Sequence, residues 1–256
     1  MQNLNLLVTT LHHLTKHFKD HAVLKGGMEL ALYSSARSTN DLDFVFVPFK
    51  SKKDIVTDVE KCLQKMGDDV KISVSINSKH AKFIVAQANE KIEVEINVAE
   101  NLASVPMNTA VLARKVKLPP QIIRVMKPEV ALAHKIGAWN ERRLLRDVYD
   151  IYFWFGIQNI FPDMTILEKR LQSIESRIPK FKSRKSMTLE ILCQELQEFC
   201  TQISQKDIDQ ELSSLTDQER QHLDKVMLSQ INLLVSRLIA IINSKKSSSF
   251  LNLPTI

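Results

Sequence analysis

Cysteine, glycine, aromatic side chains and long apolar runs are all scarce in this chain of 256 residues, and each scarcity excludes something. Three cysteines, Cys62, Cys193 and Cys200, show no metal-type spacing, and an odd count this low excludes a disulfide framework. Cys193 and Cys200 lie two helical turns apart and are expected in a core; the thiols point to a reducing, cytoplasmic setting. Only five glycines, beside abundant Leu, Ile, Lys and Gln, argue for much helix. No apolar run approaches the roughly 20 residues that span a bilayer, and the amino terminus lacks the charged-then-apolar order of a signal peptide, so no membrane partner is expected. Repeats and low-complexity segments are missing as well; Ser244 to Ser249 reads as a mobile tail.

What is present fits a folded enzyme. A hydrophobic content of 44% rules out global disorder, and the length accommodates two modest domains. The net charge is +6 and the isoelectric point about 9.1, a balance that favours a polyanionic partner such as nucleic acid. The clearest basic cluster, Arg177, Lys180, Phe181, Lys182, Arg184 and Lys185, reads first as a solvated interhelical loop and second as an RNA contact. His12, His13, His17 and His21 repeat at helical spacing, but no acidic residue completes a zinc motif there, and they are expected to face water. His134 suits either packing or a phosphate or base contact.

Periodicity divides the chain. Helices are expected over 3–19, 28–35 and 52–66, and strands over 22–25 and 41–47. Alternation at Val70, Ile72, Val74 and Ile76, at Phe83 and Val85, and from Ile92 to Val98 adds antiparallel strands joined by turns at Asn77-Ser78 and Asn89-Glu90. From Pro119 onward strand signals vanish and helices follow near 128–140, 143–156, 164–175, 187–204 and 216–244. The expected fold is α+β, with a small mixed sheet in a domain over 1–118 and a helical domain over 119–256.

Lys25-Gly26-Gly27 followed by Arg37-Ser38-Thr39-Asn40-Asp41-Leu42-Asp43-Phe44 carries the most chemistry. Leu42, Phe44 and Phe46 alternate with Asp41, Asp43 and Val45, so both aspartates share one face of a strand. Two carboxylates held that close are costly without a cation between them, and magnesium suits oxygen ligands. Glycine turn and paired acids together point to phosphoryl transfer. An isolated Asp-x-Asp is more often simply solvated; the glycine pair before it and an acid-bearing strand after it reverse those odds.

These residues resemble the first motif of the DNA polymerase β-like nucleotidyltransferases, and more narrowly the AbiEii-type toxins of type IV toxin-antitoxin systems. The family's Lys-Gly-Gly-Thr-Ala-Leu stands here as Lys25-Gly26-Gly27-Met28-Glu29-Leu30, so a hydroxyl that could touch a phosphate is replaced. A third acid is expected on a neighbouring strand; Glu93 and Glu95 share a face of Lys91 to Val98, and the resemblance selects Glu95, which precedes Ile96-Asn97. Glu93 is then an exposed partner of Lys91. A second block, Pro128 to Ala138 with Arg142, Arg143 and Arg146-Asp147-Val148-Tyr149-Asp150, is similar to the family's Lys-x-x-Ala-x-x-x-Arg, Arg-Asp-x-x-Asp pattern. It implies that Lys135 meets a triphosphate and that Asp147 orients Lys135 or an arginine. The bland reading makes Arg143 with Asp147 and Arg146 with Asp150 helix-surface ion pairs, each worth about 0.3 kcal/mol.

The resemblance implies magnesium-dependent transfer of a nucleoside monophosphate from a triphosphate to an acceptor hydroxyl. Asp41, Asp43 and Glu95 would hold metal, while Lys25, Gly26, Gly27, Arg37 and Ser38 would cradle phosphate. It further implies an RNA acceptor such as a tRNA end, a cognate antitoxin, and a cleft completed by the helical domain. A non-catalytic nucleotide- or RNA-binding module on the same fold, and a small-molecule nucleotidyltransferase, remain open.

Overall fold

A computed structural model describes residues 3–77, 80–176 and 178–250, with side chains to 244. Ser78 of the expected turn and Arg177 of the basic cluster lie outside the described residues. Contacts divide the chain into two units, Met1–Lys127 and Pro128–Ile256.

In chain order the first unit contains α1 (Leu4–Phe18), β1 (Ala22–Lys25), α2 (Gly26–Leu32), β2 (Asp41–Phe46), α3 (Lys53–Gln64), β3 (Lys71–Ile76), β4 (Ala81–Gln87), β5 (Glu90–Val98), β6 (Ser104–Asn108), α4 (Ala110–Ala113) and β7 (Ile122–Met126). The seven strands form one sheet in the order β3-β4-β5-β2-β1-β7-β6. Pairing is parallel between β1 and β7 and between β2 and β5, and antiparallel elsewhere, so the sheet is mixed. One face is apolar because alternate residues, Leu42, Phe44, Phe46, Phe83, Val85, Ile92, Val94 and Ile96, are all buried. The amphipathic helices α1 and α3 bring Leu7, Leu11, Leu14, Val59 and Leu63 into the same core. Polar alternates of β2, β4 and β5 occupy the other face.

Two strands escape detection by periodicity. β6 contains Pro106, which demotes a strand on sequence grounds; the proline is tolerated because β6 is the sheet's edge. β7 has only five residues between prolines, yet it pairs with β1. The first unit therefore extends past the expected limit at 118 to Lys127.

The second unit is helical: α5 (Pro128–Arg142), α6 (Leu145–Tyr152) continued by a π-turn over Phe153–Ile157, α7 (Met164–Gln172), α8 (Leu189–Thr201), α9 (Gln205–Glu211), α10 (Asp217–Arg220) and α11 (Leu223–Phe250). Its core holds Trp139, Trp154, Leu192, Leu196, Ile231, Leu234 and Leu238. The helix α9 was not expected, and the helix expected from 216 is interrupted between α10 and α11. Ser204 with Asp207, and Thr216 with Glu219, form reciprocal capping boxes that start α9 and α10 separately. The backbone of α11 continues through the segment expected to be a mobile tail.

No unbroken apolar run was expected to approach bilayer length, yet one helix is long and apolar enough on average to cross a membrane. Leu223–Ser244 of α11 meets that standard by length and composition, with mean hydropathy 1.6 over its most apolar window. Its Met227, Ile231, Leu234, Val235 and Leu238 are buried as one stripe, and the helix packs on α8.

Candidate active site

Strand β1 ends at Lys25, and the chain turns into α2 through Gly26, whose φ of 80° lies in the left-handed region. A Cβ built on Gly26 would stand 2.3 Å from Oδ2 of Asp43, so glycine is required for conformation and for space. A Cβ on Gly27 would stand 2.9 Å from Cβ and Oγ1 of Thr39, which lets the 37–40 segment lie against the turn. Thr39 Oγ1 accepts the backbone N–H of Asp41 at 3.2 Å, fixing the start of β2. Arg37 also approaches: its Nη2 would lie 3.3 Å from a Gly27 Cβ. Lys25 is paired across the strands with Asp43, and its Nζ stands 4.0 Å from Asp43 Oδ1. The structure thus gathers Lys25, Gly26, Gly27, Arg37 and Asp43, with Ser38 in the same segment. Met28 and Glu29 are both buried in α2.

Parallel pairing of β2 with β5 sets the acids. Asp43 is level with Glu95, and Asp41 with Glu93. Four carboxylates therefore occupy neighbouring positions on the sheet face opposite the α1–α3 core. Asp43 has Lys25 as a neighbour, Glu95 Oε2 has His80 Nδ1 at 3.6 Å, and Glu93 Oε1 has Lys82 Nζ at 2.5 Å. Asn97 Nδ2 donates a long hydrogen bond to Glu95 Oε1 at 3.5 Å. Glu93 is thus Lys82's partner rather than the exposed partner of Lys91 expected from sequence. The hydrogen bond to Glu93, with the charges of Glu93, Glu95 and Asp41, holds the Lys82 ammonium above its usual pKa.

Among the described residues no three His, Cys, Asp or Glu side chains converge into a metal-holding group. The donor chemistry nonetheless suits a hard divalent cation: oxygen ligands on adjacent strands, sharing one face, beside a glycine with no side chain to block them.

In the second unit Lys135 and Asp147 are not partners of each other. Lys135 Nζ donates to Asp150 Oδ2 at 2.5 Å, and Asp150 is buried. Arg142 grips Asp147 with two hydrogen bonds, Nε to Oδ2 at 3.1 Å and Nη2 to Oδ1 at 2.5 Å. The Arg143–Asp147 pair expected from four-residue spacing gives way to other partners. Arg143 turns to Asn140 and Glu195 instead, and both aspartates are buried.

The basic segment is partly built into this unit. Arg143 stacks over Trp139 at 4.2 Å and over Phe181 at 5.1 Å, and Arg184 covers Phe181 at 4.7 Å. Arg143 and Arg184 both pair with Glu195; burial works to raise that carboxyl's pKa, but their hydrogen bonds outweigh it and lower it. Lys180, Lys182 and Lys185 remain exposed.

Of the four histidines expected to face water, His17 and His21 are exposed, while His12 and His13 are not. His12 is buried, its Nε2 2.8 Å from Thr109 Oγ1, and burial lowers its pKa. His13 Nε2 lies 2.9 Å from the Cys62 carbonyl. All three cysteines are free and buried, their thiols pushed up by burial, Cys200 to about 12.

Residues 11–227 match the model of the family described as nucleotidyl transferase AbiEii toxin, type IV TA system. The structure is similar to JHP933 from Helicobacter pylori, at 15% identity and a TM-score of 0.52, with 95% of each chain covered. It is similar to the same degree to a protein described as a candidate nucleotidyltransferase from H. pylori, again at 15% identity and TM-score 0.52, covering 92% of this chain and 94% of that one. These likenesses show a shared fold with carboxy-terminal helices. No curated protein matches the sequence.

Proposed function

Because the chain belongs to the AbiEii nucleotidyl transferase toxin family, we propose that it moves a nucleoside monophosphate from a triphosphate to an acceptor hydroxyl, with an RNA end as acceptor. One observation carries the assignment of the site. The parallel register sets Asp43 level with Glu95 and keeps Asp41 on the same face, at the point where Gly26 makes room for the Asp43 carboxylate.

In the proposed reaction the acceptor oxygen forms a bond to the α-phosphorus, the bond from that phosphorus to the bridging oxygen breaks, and pyrophosphate leaves. The acceptor proton passes to solvent. Asp41, Asp43 and Glu95 would hold magnesium, which when bound supplies Lewis-acid polarisation of phosphate oxygens and a lowered acceptor pKa. Lys25 and Arg37, with the backbone amides of Gly26 and Gly27, bind and orient the triphosphate oxygens, and Ser38 adds a hydroxyl beside them. Within the helical unit Asp150 holds the Lys135 ammonium and Asp147 holds Arg142. The buried position of Met28 supports a reading in which backbone amides and cations supply the phosphate contacts of the Gly26-Gly27 turn itself.

An RNA acceptor, with a tRNA end as the specific case, is supported by the +6 charge and by the exposed lysines 180, 182 and 185. A cognate antitoxin follows from the family's toxin-antitoxin context. The test is incubation with each labelled triphosphate and total cellular RNA, with magnesium or with chelator. Label in RNA that requires magnesium is expected. Label on small molecules alone would give the acceptor to a metabolite, and triphosphate binding without any transfer would make the chain a binding module.

A further inference from the structure

We propose that Lys82 is the resident counter-ion of the acid face, and that it sets how much divalent cation the site requires. The inference rests on the metal reading above and concerns a residue outside the motif that suggested it.

Lys82 comes from β4, the strand on the far side of β5 from β2. A two-residue turn pairs Gln87 with Glu90, and antiparallel register then places Lys82 level with Glu95. Paired residues share a face, so the lysine stands on the same surface as the four acids. From there its ammonium reaches diagonally to Glu93 at 2.5 Å.

Its electrostatic reach is wider than that one bond. Level with Glu95 and bonded to Glu93, which is itself level with Asp41 on the next strand, its ammonium stands among three carboxylates, Glu93, Glu95 and Asp41. Two of those three are assigned metal ligands. With Lys25 beside Asp43, the described residues of the face include four carboxylates and two ammonium groups, one at each side. Like charges on neighbouring strand positions repel unless a cation stands among them, and Lys82 is a cation the chain itself supplies.

This arrangement also accounts for the spread of the acids. Asp43, Glu95 and Glu93 each have a different cationic or titratable neighbour, Lys25, His80 and Lys82 respectively, and no three of the described acids or histidines converge. A divalent ion that gathers Asp41, Asp43 and Glu95 must therefore do so against the Lys82 charge. Lysine suits the part, because its ammonium is a compact point charge on a flexible stem and can withdraw without moving the strand. Lys82 thereby acts as a positioning residue, lending the face cohesion before metal arrives and raising the concentration at which metal wins.

The experiment is calorimetric titration of Mn²⁺ into the full chain at one fixed pH, for wild type, Lys82→Met, Lys82→Gln and Lys82→Arg, with Asp43→Asn as the ligand-loss control. Melting is measured without metal for each. Removing one unit charge beside a doubly charged ion alters affinity on the order of tenfold even under strong screening, equivalent to about 1.4 kcal/mol. The expected result is about tenfold tighter Mn²⁺ binding in Lys82→Met and Lys82→Gln, with lower metal-free melting temperatures, and wild-type behaviour in Lys82→Arg. Equal or weaker binding in both neutral variants, with wild type binding normally, would overturn the role of Lys82 and leave the metal reading standing. No Mn²⁺ binding by any of the proteins would overturn the metal reading and this inference together.

Discussion

Both units hold carboxylates beside cations, but on different terms. In the first unit Asp43, Glu95 and Glu93 keep 26–29% of their side-chain surface exposed, and two of their three contacts are long, at 3.6 and 4.0 Å. In the second, Asp147 and Asp150 are 1% exposed and held at 2.5 Å by Arg142 and Lys135. A carboxylate that has given up its water must keep its partner, because an unpaired buried charge is very costly. One that remains wet and loosely paired can exchange a protein cation for a ligand at little cost. The same residue types are thus committed to structure in one unit and available for chemistry in the other.

The sharpest way to break this contrast is to remove Lys135. Lys135→Met leaves the Asp150 carboxylate buried without its lysine and is expected to destabilise by about 3 kcal/mol, read by urea unfolding. The same variant should weaken triphosphate binding more than monophosphate binding, by a margin that shrinks as salt rises, if the lysine also meets the pyrophosphate portion. Unchanged stability would mean that Asp150 finds other support.

Next in size is the division within the acid face. Glu95→Gln is expected to lower the transfer rate by about a hundredfold, or about 2.7 kcal/mol, with little loss of stability. Glu93→Gln, which removes only Lys82's partner, should change the rate by less than about threefold. Single-turnover rates on both variants decide the assignment, and the reverse ranking would transfer the ligand role to Glu93.

The smallest effect concerns His12. Its folded-state pKa is lowered by burial, so the unfolded chain binds more protons as pH falls through and below its ordinary value near 6.5. Stability is then fully present at higher pH and is lost on acidification, with a contribution of at most about 1.4 kcal/mol per pH unit. Denaturant titrations of wild type and His12→Asn between neutral and mildly acid pH should show a flatter acid limb in the variant.

The sequence already exposes what depends on strand alternation. A period of two puts Asp41 with Asp43 and Glu93 with Glu95, and the structure keeps both pairs on one face. Hidden from it is whatever depends on how elements pair. Lys82 looks like any surface lysine until the two-residue turn fixes its level with Glu95. The expected pair of Arg143 with Asp147 failed for a conformational reason: Arg143 takes a φ of 55° and Leu144 is extended, so the helix breaks and α6 packs on α5. Asp147 and Asp150 then meet Arg142 and Lys135 on α5 rather than arginines on a continuous helix. The strands β6 and β7 were concealed by proline and brevity, and both are supported by pairing that local sequence does not record.

Whether the wet acid face is the transfer site can be decided with a single variant, Asp43→Asn, measured for transfer and for melting with and without magnesium and triphosphate. Transfer should be abolished and the ligand-dependent rise in melting temperature lost, while metal-free melting stays the same or increases because a like charge has gone. Transfer at the wild-type rate by a folded Asp43→Asn protein would place the chemistry elsewhere.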